Sequence, residues 1–121
     1  MSSASSSAWQ VICLCAEWCG VCREWQIAFE GLRERHPQVA FHWVDVEDEA
    51  DALGEVDVET FPTLLVAQGD FPRFLGPVQP SAAQVSRLLD RLAADREAGI
   101  EPAPHARALL DRLRTLVLLN R

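Results

Sequence analysis

The chain has 121 residues, 49% of them hydrophobic and 24% charged, a balance that suits one globular domain able to bury a core of its own. Its formal net charge of -7 argues against nucleic acid or an anionic membrane surface as partner, since both need a basic face. All 11 positive side chains are arginine, and they are unevenly placed: residues 1 to 60 carry 12 acids and 3 arginines, whereas residues 61 to 121 carry 6 acids and 8 arginines.

Residues 1-8 are Ser-rich and read as a flexible N-terminal segment. They have neither the positive residue nor the apolar run of a secretory signal, so the expected address is cytoplasmic. No apolar run approaches the roughly 20 residues that span a bilayer. Trp9 to Cys15 is a near-continuous apolar run of strand length, as expected of a strand covered on both faces. From Gly20 to His36 the residues Cys22, Trp25, Ala28, Phe29 and Leu32 mark one helical face, and Pro37 ends the helix. Val39 to Val46 is a second apolar strand, which completes a βαβ unit.

Asp45 through Glu59 holds eight carboxylates and no base, a solvated face or a docking surface for a basic partner. A short helix is expected near Glu49 to Val56. Thr63 to Ala67 reads as a third strand, Gln68-Gly69-Asp70 as a turn and Phe71 to Leu75 as a fourth strand, with Pro72 placing it at a sheet edge. Ser81-Ala82-Ala83-Gln84 has the capping-box pattern and opens a helix ending near Gly99. After a Pro-bearing link, Ala106, Leu109, Leu110, Leu113, Leu116 and Val117 form the stripe of a last amphipathic helix.

The chemistry is concentrated in Trp18-Cys19-Gly20-Val21-Cys22, a CxxC placed between strand and helix. Four cysteines within ten positions in a reducing compartment point to catalysis or metal binding rather than to permanent disulfides. Cys13 and Cys15, two apart on a strand, face one side of the sheet. Three readings stay open for them: small buried hydrophobes, an auxiliary thiol at Cys13 that traps a mixed disulfide or over-oxidised state, or a four-thiolate metal set with Cys19 and Cys22.

In this order of elements, in Ala16-Glu17-Trp18-Cys19-Gly20-Val21-Cys22 and in Phe61-Pro62-Thr63, the chain resembles the thioredoxin superfamily. The resemblance covers roughly residues 9 to 95. It implies an α/β thioredoxin-like fold, N-terminally shortened, with a four-stranded mixed sheet in order 2-1-3-4, helices on both faces and an extra C-terminal helix. The implied domain spans residues 9-96, with residues 97-121 as linker and helix packed on it or forming a dimer, so a monomer or weak homodimer is expected.

By the same resemblance Cys19 is the nucleophile, Cys22 the resolving thiol, and Pro62 a cis proline facing them. Trp18, Gly20, Val21, Thr60, Phe61 and Pro62 would contact substrate. The implied activity is reduction of protein disulfides without a bound cofactor or metal, fed by an external donor such as a flavoprotein reductase. The alternative is a binding or assembly module that holds a partner on the Pro62 groove or the C-terminal helix. Two departures stand out: Cys13 and Trp43 align with the family's buried carboxylate and its neighbouring lysine, so the usual internal base is absent.

Overall fold

The computed structural model describes residues 9-16, 20-48, 62-69, 71-94 and 104-116. The N-terminal segment, the helix expected near residues 49 to 56 and the link before the last helix lie outside the described residues. In chain order the elements are β1 (Trp9–Cys15), α1 (Gly20–Arg35), β2 (Val39–Asp45), β3 (Thr63–Gln68), β4 (Phe71–Pro77), α2 (Ala82–Ala94) and α3 (Pro104–Leu116).

The four strands form one mixed sheet in the order β2-β1-β3-β4, as the resemblance implies. β1 pairs in parallel with β2, from Trp9 opposite Val39 to Cys15 opposite Asp45, and antiparallel with β3. A central strand covered on both faces is apolar at nearly every position, which accounts for the run from Val11 to Cys15. Beyond the ladder, the Val46 N–H donates to the Cys15 carbonyl at 2.8 Å and holds the chain close to the end of β1.

Alternation along β1 divides the interior in two. Val11, Cys13 and Cys15 join Cys22, Trp25, Phe29 and Leu32 of α1 and Val85, Leu89 and Leu92 of α2 in one core. Phe29 sits at its centre, edge-on to Trp25, Phe41 and Trp43 at centroid separations of 6.0, 5.5 and 5.5 Å, the geometry that aromatic quadrupoles favour. Ile12 and Leu14 face the other way and pack with Val44, Leu65, Ala67 and α3 residues Leu109, Leu110 and Leu113. The last helix therefore covers the second sheet face.

Helix ends follow local chemistry. Ser81 caps α2 through its Oγ, which accepts from the Gln84 N–H at 3.3 Å. Arg33 and Arg35 lie in the last turn of α1, where the macrodipole favours cations. His36 Nε2 meets Ser86 Oγ at 3.0 Å and ties that end to α2.

The β3–β4 hairpin turns through Gly69, whose φ of 61° suits a residue without Cβ. Pro72 does lie on an edge strand, and beside it the register shifts so that Arg73 opposes no residue of β3. Arg73 then bonds Gln68 Oε1 at 2.7 Å and the Leu92 carbonyl at 3.3 Å, and its guanidinium lies 5.3 Å from the Trp9 ring centroid. It thereby satisfies a carbonyl in the last turn of α2 that the helix cannot. β4 extends to Pro77 rather than stopping at Leu75, and α1 ends at Arg35, one residue short of the expected His36.

Because Leu110 is wholly buried against the sheet, Leu110→Ala is expected to cost about 2 to 5 kcal/mol of stability. Asp111→Ala, one position along on the exposed side, should stay within about 0.5 kcal/mol of wild type. Urea unfolding followed by tryptophan fluorescence measures both.

Candidate active site

β1 ends and α1 begins within five residues, so their facing ends bring sulfur atoms together. Cys15 is the last residue of β1 and wholly buried; Cys22, in the first turn of α1, is 1% exposed. Cys22 is buried because it opens the stripe continued by Trp25, Phe29 and Leu32. The two cysteines are joined by a disulfide with their Cα atoms 5.9 Å apart, a spacing within the usual range for such bonds. Cys13 is free and buried, with its Sγ 3.7 Å from that of Cys15. Since Cys15 carries no proton in the disulfide, the weak S–H donor in this contact is Cys13.

Burial pushes the Cys13 thiol up from 9.0 to about 12, and a weak interaction with the Trp25 indole offsets only part of the shift. The Trp25 Nε1–H has no well-formed hydrogen bond of its own, so this contact is a poor substitute for a true acceptor. Cys13 lies directly opposite Trp43 in the β1–β2 register. The position aligned with a buried carboxylate thus holds a thiol that keeps its proton at neutral pH, and it cannot serve there as a base.

A cleft of about 340 Å³ is lined by Ala16, Cys22, Arg23, Gln26, Trp43, Asp45 and Asp48. Asp45 Oδ1 accepts from the Glu47 N–H at 2.8 Å and the Asp48 N–H at 3.1 Å, which fixes the turn at the cleft rim. Gly20 and Val21 are exposed on the first turn of α1, and a Cβ added at Gly20 would meet nothing within 4 Å. Pro62 is buried, and its carbonyl accepts from the Val78 N–H at 3.1 Å, which continues the hairpin pairing beyond β3. A groove of about 470 Å³ opens beside that junction between Pro77, Val78, Gln79, Gln84, Val85 and Leu88.

Trp18, Cys19, Thr60 and Phe61 lie outside the described residues. Among the described residues no three His, Cys, Asp or Glu side chains form a group able to hold a metal ion, and no helix is long and apolar enough to cross a membrane. Sequence reasoning considered Cys13 as the auxiliary thiol, whereas the structure joins Cys15 to Cys22. The missed signal is position along the strand: Cys15 shares the face of Cys13 but lies nearer the start of α1.

A family model described as Thioredoxin matches residues 3–85. A Streptomyces coelicolor protein carrying a thioredoxin name is 28% identical over 82 residues, covering 68% of this chain and 59% of the relative. Thioredoxin of Ophiophagus hannah is 36% identical over 53 residues, 44% of this chain and 50% of that protein. The chain thus spans about half the length of the curated relatives it matches. Among solved structures, Fasciola hepatica thioredoxin superposes with a TM-score of 0.64 at 22% identity, covering 74% of this chain and 85% of that one. At that identity the likeness speaks for the fold, an α/β sheet of the same arrangement.

The Cys13 shift carries a signed consequence for stability. Between pH 9.0 and about 12 the unfolded chain releases a proton that the native chain retains, so stability falls as pH rises through that window, by at most about 1.4 kcal/mol per pH unit from this group. Below pH 9 its contribution is fully present. Urea midpoints of the phosphine-reduced protein at pH 8 and pH 10.5 should fall more steeply for wild type than for Cys13→Ala.

Proposed function

This chain belongs to the thioredoxin family, and from that premise we propose that it reduces protein disulfides through a Cys19-Cys22 dithiol/disulfide cycle. The observation that carries the reading is Cys22, a buried cysteine in the first turn of a helix, at the CxxC position of the family and bordering a cleft.

Cys19 immediately precedes α1 in the sequence, where free backbone N–H groups and the positive helix end favour a thiolate, and Arg23 adds a cation. The Cys19 thiolate attacks one sulfur of a substrate disulfide; a mixed disulfide forms and the substrate's other sulfur leaves as thiolate. Cys22 then attacks the Cys19 sulfur and releases the second substrate thiolate. The substrate gains two electrons and two protons, and the protein retains a Cys19–Cys22 bond. An external donor of the flavoprotein-reductase kind would restore the dithiol, and the cytoplasm is the compartment in which it would stay reduced.

Proton handling separates this chain from the family pattern. The Cys22 proton cannot go to Cys13, which is itself protonated to about pH 12. The cleft beside Cys22 supplies the other route, to water and to the carboxylate-lined rim at Asp45 and Asp48. Substrate would lie over Trp18, Gly20, Val21 and the Thr60-Phe61-Pro62 backbone, an extended segment pairing edge-on with the chain before β3. The groove at Pro77 and Val78 adjoins that backbone through the Val78–Pro62 hydrogen bond.

A second reading, a binding or assembly module, draws on the protonated thiol at Cys13, which removes the internal base that fast turnover uses. Insulin reduction by dithiothreitol, followed as turbidity, separates the two. Wild type should accelerate the reaction, and Cys19→Ser should return it to the rate of dithiothreitol alone. Equal rates for the two proteins would favour the module. Cys22→Ser should accumulate mixed disulfides with its substrates, detected as adducts that dithiothreitol releases.

A further inference from the structure

We propose that Cys15 is a working thiol of the redox centre, taking Cys22 into a second, interior disulfide that competes with the Cys19–Cys22 bond. The proposal rests on the dithiol reading above and adds a residue and a state to it. Its basis is placement: Cys15 and Cys22 occupy the facing ends of β1 and α1, both in regular structure, with Cα atoms 5.9 Å apart and a bond between their sulfurs. A disulfide at this spacing needs no rearrangement of either element.

The step is an isomerisation. After one round of substrate reduction the Cys15 sulfur attacks Cys22 Sγ; the Cys15–Cys22 bond forms, the Cys19–Cys22 bond breaks and Cys19 leaves as thiolate. The proton of Cys15 passes to Cys19 or to water in the cleft. No electrons enter or leave, so the oxidising equivalent is the one the substrate disulfide supplied. Cys13 takes no part in the exchange; its Sγ lies 3.7 Å from the Cys15 sulfur on the same strand face.

The two oxidised states differ in what they offer to solvent. Cys15 is wholly buried and Cys22 is 1% exposed, so the interior bond is shielded from external thiols, and return to the dithiol runs through attack by Cys19 on Cys22. While the interior bond persists, Cys19 is a thiol without its resolving partner. A mixed disulfide formed there is not discharged, and the protein holds its substrate instead of releasing it. The same chain thereby acts as reductase when reduced and as covalent holder when oxidised inward.

Cleavage after Glu17 makes the test direct, because it places Cys13 and Cys15 on peptide 1-17 and Cys19 and Cys22 on peptide 18-24. The full-length protein is oxidised with one equivalent of diamide, quenched in acid, alkylated in denaturant, digested with glutamyl endopeptidase and mapped by mass spectrometry. Wild type should yield the two peptides linked, with Cys13 and Cys19 alkylated, beside a fraction holding the Cys19–Cys22 bond. Cys19→Ser, which cannot make the latter bond, should give the linked pair as its main product. Cys13→Ala should retain the link and Cys15→Ala should lose it.

Only an internal Cys19–Cys22 bond in wild type, together with an unlinked Cys19→Ser, would overturn the proposal. A link that survives Cys15→Ala would overturn it too, by assigning the bond to Cys13. Failure of the reductase reading looks different: wild type would leave insulin reduction at the rate of dithiothreitol alone whatever the peptide map shows.

Discussion

Because β1 lies between β2 and β3, both of its faces are covered and its alternate side chains must feed two separate cores. Val11 through Ala16 are each at most 1% exposed. That burial sets the parity of the strand, since a one-residue slip would exchange every side chain between the α1/α2 face and the α3 face. Cys13 and Cys15 owe their place in the first core to this parity, and Ile12 and Leu14 owe theirs against α3 to the same cause. The sulfur cluster is thus a product of the sheet register, not a feature added to its surface.

Within that frame Cys22 is the common partner. It belongs to the buried stripe of α1, meets Cys15 across the strand-to-helix junction and borders the cleft. The proposed bond with Cys19 and the bond with Cys15 would be alternatives at one sulfur. Around that sulfur lie a thiol at Cys13 that remains protonated and a rim of carboxylates at Asp45 and Asp48.

Much of the architecture could be read from the chain, because burial leaves periodic marks. Trp9 to Cys15 is apolar at every position but Gln10, and the structure makes those residues the central strand. The stripe of α1 and the edge position of Pro72 followed from the same logic, and the strand order from the family resemblance. Other features depended on distances that periodicity does not encode. Parity assigned Cys13 and Cys15 to one face but not the depth at which each meets α1, so the Cys15–Cys22 bond was missed. The irregularity at Arg73 was likewise invisible, since only the folded chain brings that guanidinium to Trp9 and to the end of α2.

A reversible two-electron couple that includes Cys22 is the central claim. Equilibration of the protein in glutathione buffers of graded potential, read by intrinsic tryptophan fluorescence from Trp25 and its neighbours, tests it most directly. Wild type should show a two-electron Nernst transition, with about 30 mV for each tenfold change in ratio, and Cys22→Ser should show none of that form. A flat fluorescence response in wild type, or an unchanged transition in Cys22→Ser, would contradict it.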